Sequence, residues 1–393
     1  MKVILCALVI GLIVPSVAGA AIEGIQVSNN NNASVTISWT TDSGVDETGE
    51  VHYSQNGDLS NFTTVYDVRG QFFAGCTHYV EITGLTSETL YYFEVVSGSE
   101  TDDNGGNYYT FATMRQPQNP PTPCTITGCV YEEDGTTLAV GPMVYLWVTH
   151  EGVTSYPLSD LLGSPGDATP GCFAFDIKQA RSTATDDLFP SIDPGDPMQV
   201  MVLDCGNYGA YADLTFDACF SNVGFLTLAS DADGDGIPDD QDNCPNHPNG
   251  PLLGTCTQGT IGTTCTSDDE CDLPGEESFC SMNQEDTYPT QGNGIGDACD
   301  CEADFNCGGE VDADDIELFL ADFGRFLFNN PCVNDNQCNG DFKCDGDVDS
   351  EDVEKFLEDF GRFQFNNPCP ACEVGDWCVL IKWIPCIPPH FMI

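Results

Sequence analysis

Asp231-Ala232-Asp233-Gly234-Asp235-Gly236-Ile237-Pro238-Asp239-Asp240-Gln241-Asp242 is the stretch on which the reading of this chain turns. Counted from Asp231, carboxylates fall at positions 1, 3, 5, 9 and 12, glycine falls at 6, and Ile237 at 7 can offer its carbonyl. Calcium is a hard cation that takes about six to eight oxygen ligands at roughly 2.3–2.6 Å. A loop wraps such an ion only if alternate side chains point inward and a glycine permits the sharp turn. The spacing meets both demands, so Asp231, Asp233, Asp235, Ile237, Asp239 and Asp242 read as one calcium loop. A merely soluble acidic stretch has no reason to put glycine at position 6.

The rest of the chain makes cations necessary. It has 393 residues with 63 Asp+Glu against 10 Lys+Arg, a formal net charge of −53. Between residues 231 and 370 there are 34 acids and four bases. Nothing here would neutralise phosphates, so a nucleic-acid partner is excluded. Such charge self-repels in a compact state unless the chain is disordered or cations bind it. A hydrophobic content of 41% with 23 phenylalanines argues against wholesale disorder.

Residues 1–20, MKVILCALVIGLIVPSVAGA, have a basic start, an apolar run from Val3 to Val14 and a small-residue end, the pattern of a secretory signal peptide cut after Ala20. The run is too short to span a bilayer, and no later segment is long enough. The protein is therefore expected outside the cell or on its surface. Most of its 22 cysteines are then expected in disulfides, with connectivity open.

Residues 21–114 alternate apolar and polar in short runs such as Val35-Thr36-Ile37-Ser38-Trp39 and His78-Tyr79-Val80-Glu81-Ile82, separated by Asn, Gly, Asp and Ser. That is the pattern of an antiparallel sandwich. Four prolines within residues 115–123 make a stiff linker. Residues 124–230 predict a second sandwich, with strands at Val144 to Val148, Cys172 to Phe175 and Met198 to Leu203; Cys205 and Cys219 are candidates to staple its last strands. The fold class is thus multi-domain and mainly β: two antiparallel sandwiches, then a calcium-stabilised, disulfide-rich region over 231–300 and a small helical unit over 301–370. An apolar, Pro-broken tail follows over 371–393.

The helical unit is an internal repeat with a 37-residue period. In the first copy Asp304, Asn306, Glu310, Asp312 and Asp315 occupy loop positions 1, 3, 7, 9 and 12; in the second Asp341, Asp345, Asp347, Asp349 and Asp352 occupy 1, 5, 7, 9 and 12. Gly308 at position 5 and Lys343 at position 3 each remove a ligand. Ile316, Phe319, Leu320 and Phe323, and likewise Val353, Phe356, Leu357 and Phe360, fall on one helical face and predict two short helices that bury against each other. Val311 and Val348, at position 8, are expected to pair in a short β contact, and Gly324 and Gly361 to stop the helices. Cys301, Cys307 and Cys332 recur 37 residues on as Cys338, Cys344 and Cys369, so the copies are expected to share one disulfide arrangement.

Four resemblances rest on these residues. Trp39 with Leu85, Thr89, Tyr91 and Val95 resembles the fibronectin type III pattern, in the variant that precedes purple acid phosphatase catalytic domains. In that family the tryptophan is core and the Leu-to-Tyr segment forms a corner; no catalytic domain follows here, so no phosphatase activity is implied. Residues 124–230 resemble carboxypeptidase regulatory or transthyretin-like domains. Asp231 to Asp242, with Asn243-Cys244-Pro245 and Gly294-Ile295-Gly296-Asp297-Ala298-Cys299-Asp300, resembles thrombospondin type 3 repeats, which fold around calcium. A cysteine-rich insertion over about 251–285 splits that pattern, leaving Asp286, Asn293 and Asp297 as a second ligand set. The tandem repeat resembles dockerins, whose cohesin partners read loop positions 10 and 11. Here these are Ala313-Asp314 and Ser350-Glu351, neither alike nor of the Ser-Thr type, which argues against a cohesin.

No catalytic constellation appears. The histidines are scattered, no nucleophile elbow or phosphate loop is present, and Cys369-x-x-Cys372 reads as a disulfide. The expectation is a non-enzymatic, secreted, adhesive or structural protein binding three or four calcium ions. The alternative is a non-catalytic component of an extracellular polysaccharide-degrading assembly. An extracellular protein or polysaccharide and a second copy of the chain are the partner classes left open.

Overall fold

The computed structural model describes residues 21–361 apart from 42–45, 118–121, 168, 185–187, 189–191, 206, 252, 261, 273–277, 287–293, 300–302, 306–310, 327–328, 331, 333–339 and 343–346. The signal peptide, the middle of the linker, the tail, Asn293, Asn306, Glu310, Asp345 and the cysteines proposed to repeat (Cys332 excepted) lie outside these residues. The chain divides into two compact units, up to residue 118 and from 119 onward.

In the first unit β1 (Ile22–Ser28), β2 (Ser34–Thr41) and β6 (Thr77–Thr83) form one antiparallel sheet. The facing sheet holds β3 (Glu47–Ser54), β4 (Thr63–Tyr66), β5 (Ala74–Gly75), β7 (Leu90–Ser97), β8 (Glu100–Asp102) and β9 (Tyr109–Ala112). The period-two pattern sends Val35, Ile37, Trp39, Val80 and Ile82 inward from one sheet and Val51, Tyr91, Phe93, Val95 and Phe111 from the other. Tyr91 turns the corner: its hydroxyl accepts from the Thr86 amide at 3.0 Å and from Gln55 Nε2 at 3.1 Å. At one end lies a buried polar group. His78 stacks on Trp39 and meets Ser97 Oγ at 3.1 Å, while Arg69 bonds both carboxylate oxygens of Asp67. Burial alone would raise the Asp67 carboxyl, but these bonds hold it well below the usual range.

The second unit begins with another sandwich. β10 (Thr125–Tyr131), β14 (Cys172–Asp176) and β17 (Ser221–Thr227) form one sheet; β11 (Met143–His150), β12 (Val153–Thr154), β13 (Leu158–Leu161), β15 (Pro197–Asp204), β16 (Tyr208–Thr215) and β18 (Ala229–Ser230) form the other. Ile126, Val130, Phe173 and Phe175 meet Val144, Leu146, Val200 and Val202 in the core. Two expectations are corrected here. The pairing of β10 with β17 is parallel, with the long crossover through β11, β12, β13, β15 and β16 of the other sheet between them. Cys219 is bonded to Cys124, not to Cys205: in a parallel pair the two strand starts lie side by side, and these cysteines precede them. Cys129 and Cys172, paired across β10 and β14, form another bond.

The insertion has structure that the sequence pattern does not announce. β19 (Gly254–Gln258), β20 (Thr264–Cys265) and β21 (Phe279–Ser281) make a small sheet held by Cys256–Cys271 and Cys265–Cys280. Beyond it, α1 (Ala313–Asp322) and α2 (Ser350–Asp359) pack together through Phe319 and Phe356, with ring centroids 4.9 Å apart, and through Phe305, Phe342, Val311 and Val348. Both helices end before a left-handed glycine, Gly324 and Gly361. The two valines are buried, but they do not pair with each other as expected. The Val348 carbonyl accepts from the Gly324 amide at 2.8 Å and the Val311 carbonyl from the Gly361 amide at 3.1 Å. Each repeat thus ties its valine to the helix end of the other. Leu320 and Leu357 also depart from expectation, both standing 58% exposed at equivalent positions. Each follows directly on the one buried phenylalanine of its helix, and Phe305, Phe319, Phe342 and Phe356 already fill the small core.

Replacing Tyr91 by phenylalanine leaves the Thr86 amide without its acceptor. The expected cost is about 1–2 kcal/mol in urea denaturation of the N-terminal unit, with an unchanged denaturant slope.

Candidate metal centre

The loop from Asp231 curls because its own carboxylates take the backbone amides of its turns. Asp231 Oδ1 accepts from the Gly234 amide at 2.8 Å and Oδ2 from Gly236 at 3.0 Å; Asp235 Oδ1 accepts from Ile237 at 2.8 Å. Gly234 and Gly236 both take positive φ, at 75° and 94°. The result draws ligand oxygens of Asp231, Asp233 and Asp235 within 4.8 Å of one another, with Asp231 and Asp235 buried.

Asp242 joins them. It lies close enough for its charge to act on Asp233 and Asp235. The buried oxygens Asp233 Oδ2 and Asp242 Oδ2 have no hydrogen-bond partner. Buried carboxylate oxygens without donors are costly unless a cation meets them. An all-oxygen donor set of this charge suits calcium, and the residues present fit it. Asp239, expected at position 9, accepts from Ser230 Oγ at 2.7 Å and the Ala232 amide at 2.7 Å, which closes the loop's ends, and its charge still reaches Asp231 and Asp242.

Electrostatics agree. Burial, first of all, and then neighbouring carboxylates push Asp233 up; burial likewise pushes up Asp231 and Asp242, and raises Asp235 to about 7.

Residues that spacing rules do not find hold Asp242 in place. Gln284 Nε2 and the Cys244 amide donate to Asp242 Oδ1 at 2.9 and 2.7 Å. Gln284 also bonds Asn249, whose Nδ2 reaches Asn243 Oδ1 at 2.7 Å, and the Gln284 amide donates to the Asn249 carbonyl at 3.0 Å. Residues 243–249 and 284–299, parted in sequence by the insertion, are thus rejoined, and Cys244–Cys299 locks them. Asp286 accepts from the Gly294 amide at 2.8 Å and the Asp297 amide donates to the Glu285 carbonyl at 2.7 Å, so both sit in this closure. Glu285 itself is committed to structure: despite its burial, bonds from Ser281 and Asn283 hold its carboxyl below the usual range.

In the tandem unit, ligand oxygens of Asp347, Asp349 and Asp352 also lie within 4.8 Å of one another. Asp352 is buried and accepts from the Phe342 and Asp349 amides at 2.9 and 2.8 Å. In the first copy Asp312 and Asp315 keep the places of Asp349 and Asp352, and Asp304 that of Asp341; Asp304 and Asp315 are buried, Asp315 accepts from the Asp312 amide at 3.0 Å and Asp312 caps α1. Asp341 is buried as well. Cys256, Cys265 and Cys271 cluster too, but as disulfide sulfurs they are spent as metal ligands.

Two family profiles match parts of the chain. The purple acid phosphatase N-terminal domain matches residues 22–113, which are a β-sandwich. The thrombospondin type 3 repeat, a calcium-binding extracellular module, matches residues 212–251 and so includes the loop from Asp231. No curated protein matches the chain. Among solved structures, PhoD is similar at 13% identity over 28% of this chain, with a TM-score of 0.20; the chain spans only 22% of PhoD. The sensor domain of the anti-sigma factor RsgI4 from Pseudobacteroides cellulosolvens is 20% identical over 25% of this chain and 97% of its own, with a TM-score of 0.19. The first three fibronectin domains of chicken CNTN1 are 9% identical over 54% and 68%, with a TM-score of 0.18. Likenesses so slight carry no argument.

Metal-free protein should lose stability as pH rises. The loop carboxyls are raised above the ordinary value of 3.8, so the folded state holds protons that the unfolded state has released. Stability in chelator is expected to fall from about pH 4 upward through about 7, where Asp235 releases its proton, and on to higher pH at Asp233, and calcium should abolish that fall. Thermal melts at a series of pH values, with and without chelator, measure both.

Proposed function

We propose that this is a secreted, non-catalytic, modular calcium-binding protein. Its two β-sandwiches act as spacers or adhesive modules outside the cell, and calcium rigidifies the half that begins at Asp231. The observation that carries this reading is the convergence of Asp231, Asp233 and Asp235, with Asp242 near enough to act on the latter two and two buried oxygens lacking donors, inside a closure locked by Cys244–Cys299. The disulfides, the thrombospondin-type match and the pattern of residues 1–20 support an extracellular setting. Among the described residues no helix is long and apolar enough to cross a membrane. Three or four ions are proposed: one in the Asp231 loop, one in each tandem loop and a fourth at Asp286, Asn293 and Asp297. The fibronectin type III character of the first unit is proposed from Trp39 and the Tyr91 corner. The reading as a non-enzyme draws on the extent of the phosphatase-related match, which stops at Thr113.

The alternative, docking of residues 301–370 in a polysaccharide-degrading assembly, is favoured by one observation. The exposed Leu320 and Leu357 offer equivalent apolar points on the two helices. Failure of immobilised cohesin-type domains to retain the full chain in calcium would remove it.

Calorimetric titration of the full chain should give three or four sites, and Asp233→Asn should remove one. At calcium about a hundredfold above Kd each site adds about 2.7 kcal/mol, so excess chelator should lower the melting temperature by several degrees. A chelator-insensitive melt would sink the calcium reading.

A further inference from the structure

We propose that the aspartate loop is a third layer of the second sandwich, and that Asn207 and Gly209, on the β15–β16 hairpin of that sandwich, are positioning residues for the ion. This rests on the calcium reading of Asp231–Asp242. The loop leaves the sheet directly from β18, where Ala229 and Ser230 pair with Gly209 and Tyr208. Asn207 then clamps its first turn from both sides. The Asn207 carbonyl accepts from the Asp231 amide at 2.8 Å, and its Nδ2 donates to the Ala232 carbonyl at 2.9 Å. To do so Asn207 holds φ at 63°, a left-handed conformation that asparagine tolerates better than most residues. Gly209 is the floor beneath the first ligand: a Cβ there would stand 2.8 Å from Asp231 Oδ2.

The far side of the loop rests on apolar surface. Register pairs Met143 with Leu203 and Tyr145 with Met201, which puts these four on one face of the sheet. It is the face opposite to Val144, Leu146, Val200 and Val202, which fill the sandwich core. An outer sheet face is ordinarily half-solvated, yet all four are buried. Gly236 packs there, so closely that an added Cβ would overlap Met201 Sδ and approach Leu203. Ile237, whose carbonyl stands at position 7, is buried beside it.

The hairpin therefore shapes the site, and by reciprocity an ion in the site tightens the hairpin. Calcium is a structural ligand of the second sandwich as well as of the acidic region.

The test uses the full chain. Asn207→Gly keeps the left-handed backbone and the main-chain carbonyl but removes the Nδ2 bond; it should weaken calcium at one site about three- to tenfold, leaving the others unchanged. Gly209→Ala should weaken the same site at least about tenfold. Hydrogen exchange should show calcium slowing the amides of β15 and β16 in the wild type but not in Asp233→Asn. If Asp233→Asn loses no site, the underlying calcium reading fails and this inference with it. If Asp233→Asn loses its site while Asn207→Gly binds as tightly as the wild type, or calcium leaves hairpin exchange unaltered, the calcium reading stands and the positioning role is overturned. Should Gly209→Ala misfold, Asn207→Gly still decides.

Discussion

Four carboxylates, Asp231, Asp233, Asp235 and Asp242, are gathered where water is scarce, and much else in the C-terminal half follows from that one unfavourable arrangement. Like charges a few ångströms apart in a buried setting repel strongly and lose solvation. A chain that nevertheless gathers them needs either protons or a cation, and burial accordingly raises the Asp235 carboxyl. Covalent closure serves the same end. In the chain-entropy view a bond across 55 residues, as in Cys244–Cys299, contributes about 4 kcal/mol. The disulfide limits how far the loops can spring apart, while a cation bound among them would remove the reason for them to do so.

The N-terminal unit answers its own polar burial differently. Asp67 is neutralised internally by Arg69, in a chain with only ten basic residues. Scarce arginine goes to fixed pairs, Arg69 with Asp67 in the sandwich and Arg325 with Asp322 at the end of α1, and most carboxylates of the acidic half are left without a basic partner. This division explains how one polypeptide carries so lopsided a charge and still builds two ordinary β cores.

Much of the architecture was legible because period-two alternation survives in β2, β6, β7 and β14, and because glycine at loop position 6 has a steric reason. Tyr91, Trp39, Gly324 and Gly361 each have a place that the sequence pattern alone assigns. What escaped was set by contacts distant in sequence. Gln284 and Asn249 hold Asp242 across an insertion, and no spacing rule reaches that far. The parallel β10–β17 pair needs knowledge of which strands are neighbours. Leu320 and Leu357 obeyed helical periodicity yet face outward, since the small core is filled by Phe305, Phe319, Phe342 and Phe356. The continuous apolar runs of β11 and β15 did carry a signal, that of strands covered on both faces.

The hydrogen bond from Gln284 to the Asn249 carbonyl means that the insertion leaves and re-enters the fold at adjacent points. Its little sheet, stapled by Cys256–Cys271 and Cys265–Cys280, is thus self-contained, like a jewel in a setting. A segment whose ends already touch can be exchanged for another of different length without asking the surrounding loops to move. The place between Asn249 and Gln284 is therefore a natural grafting point, where lineages or engineers could mount new cargo on an otherwise unchanged frame.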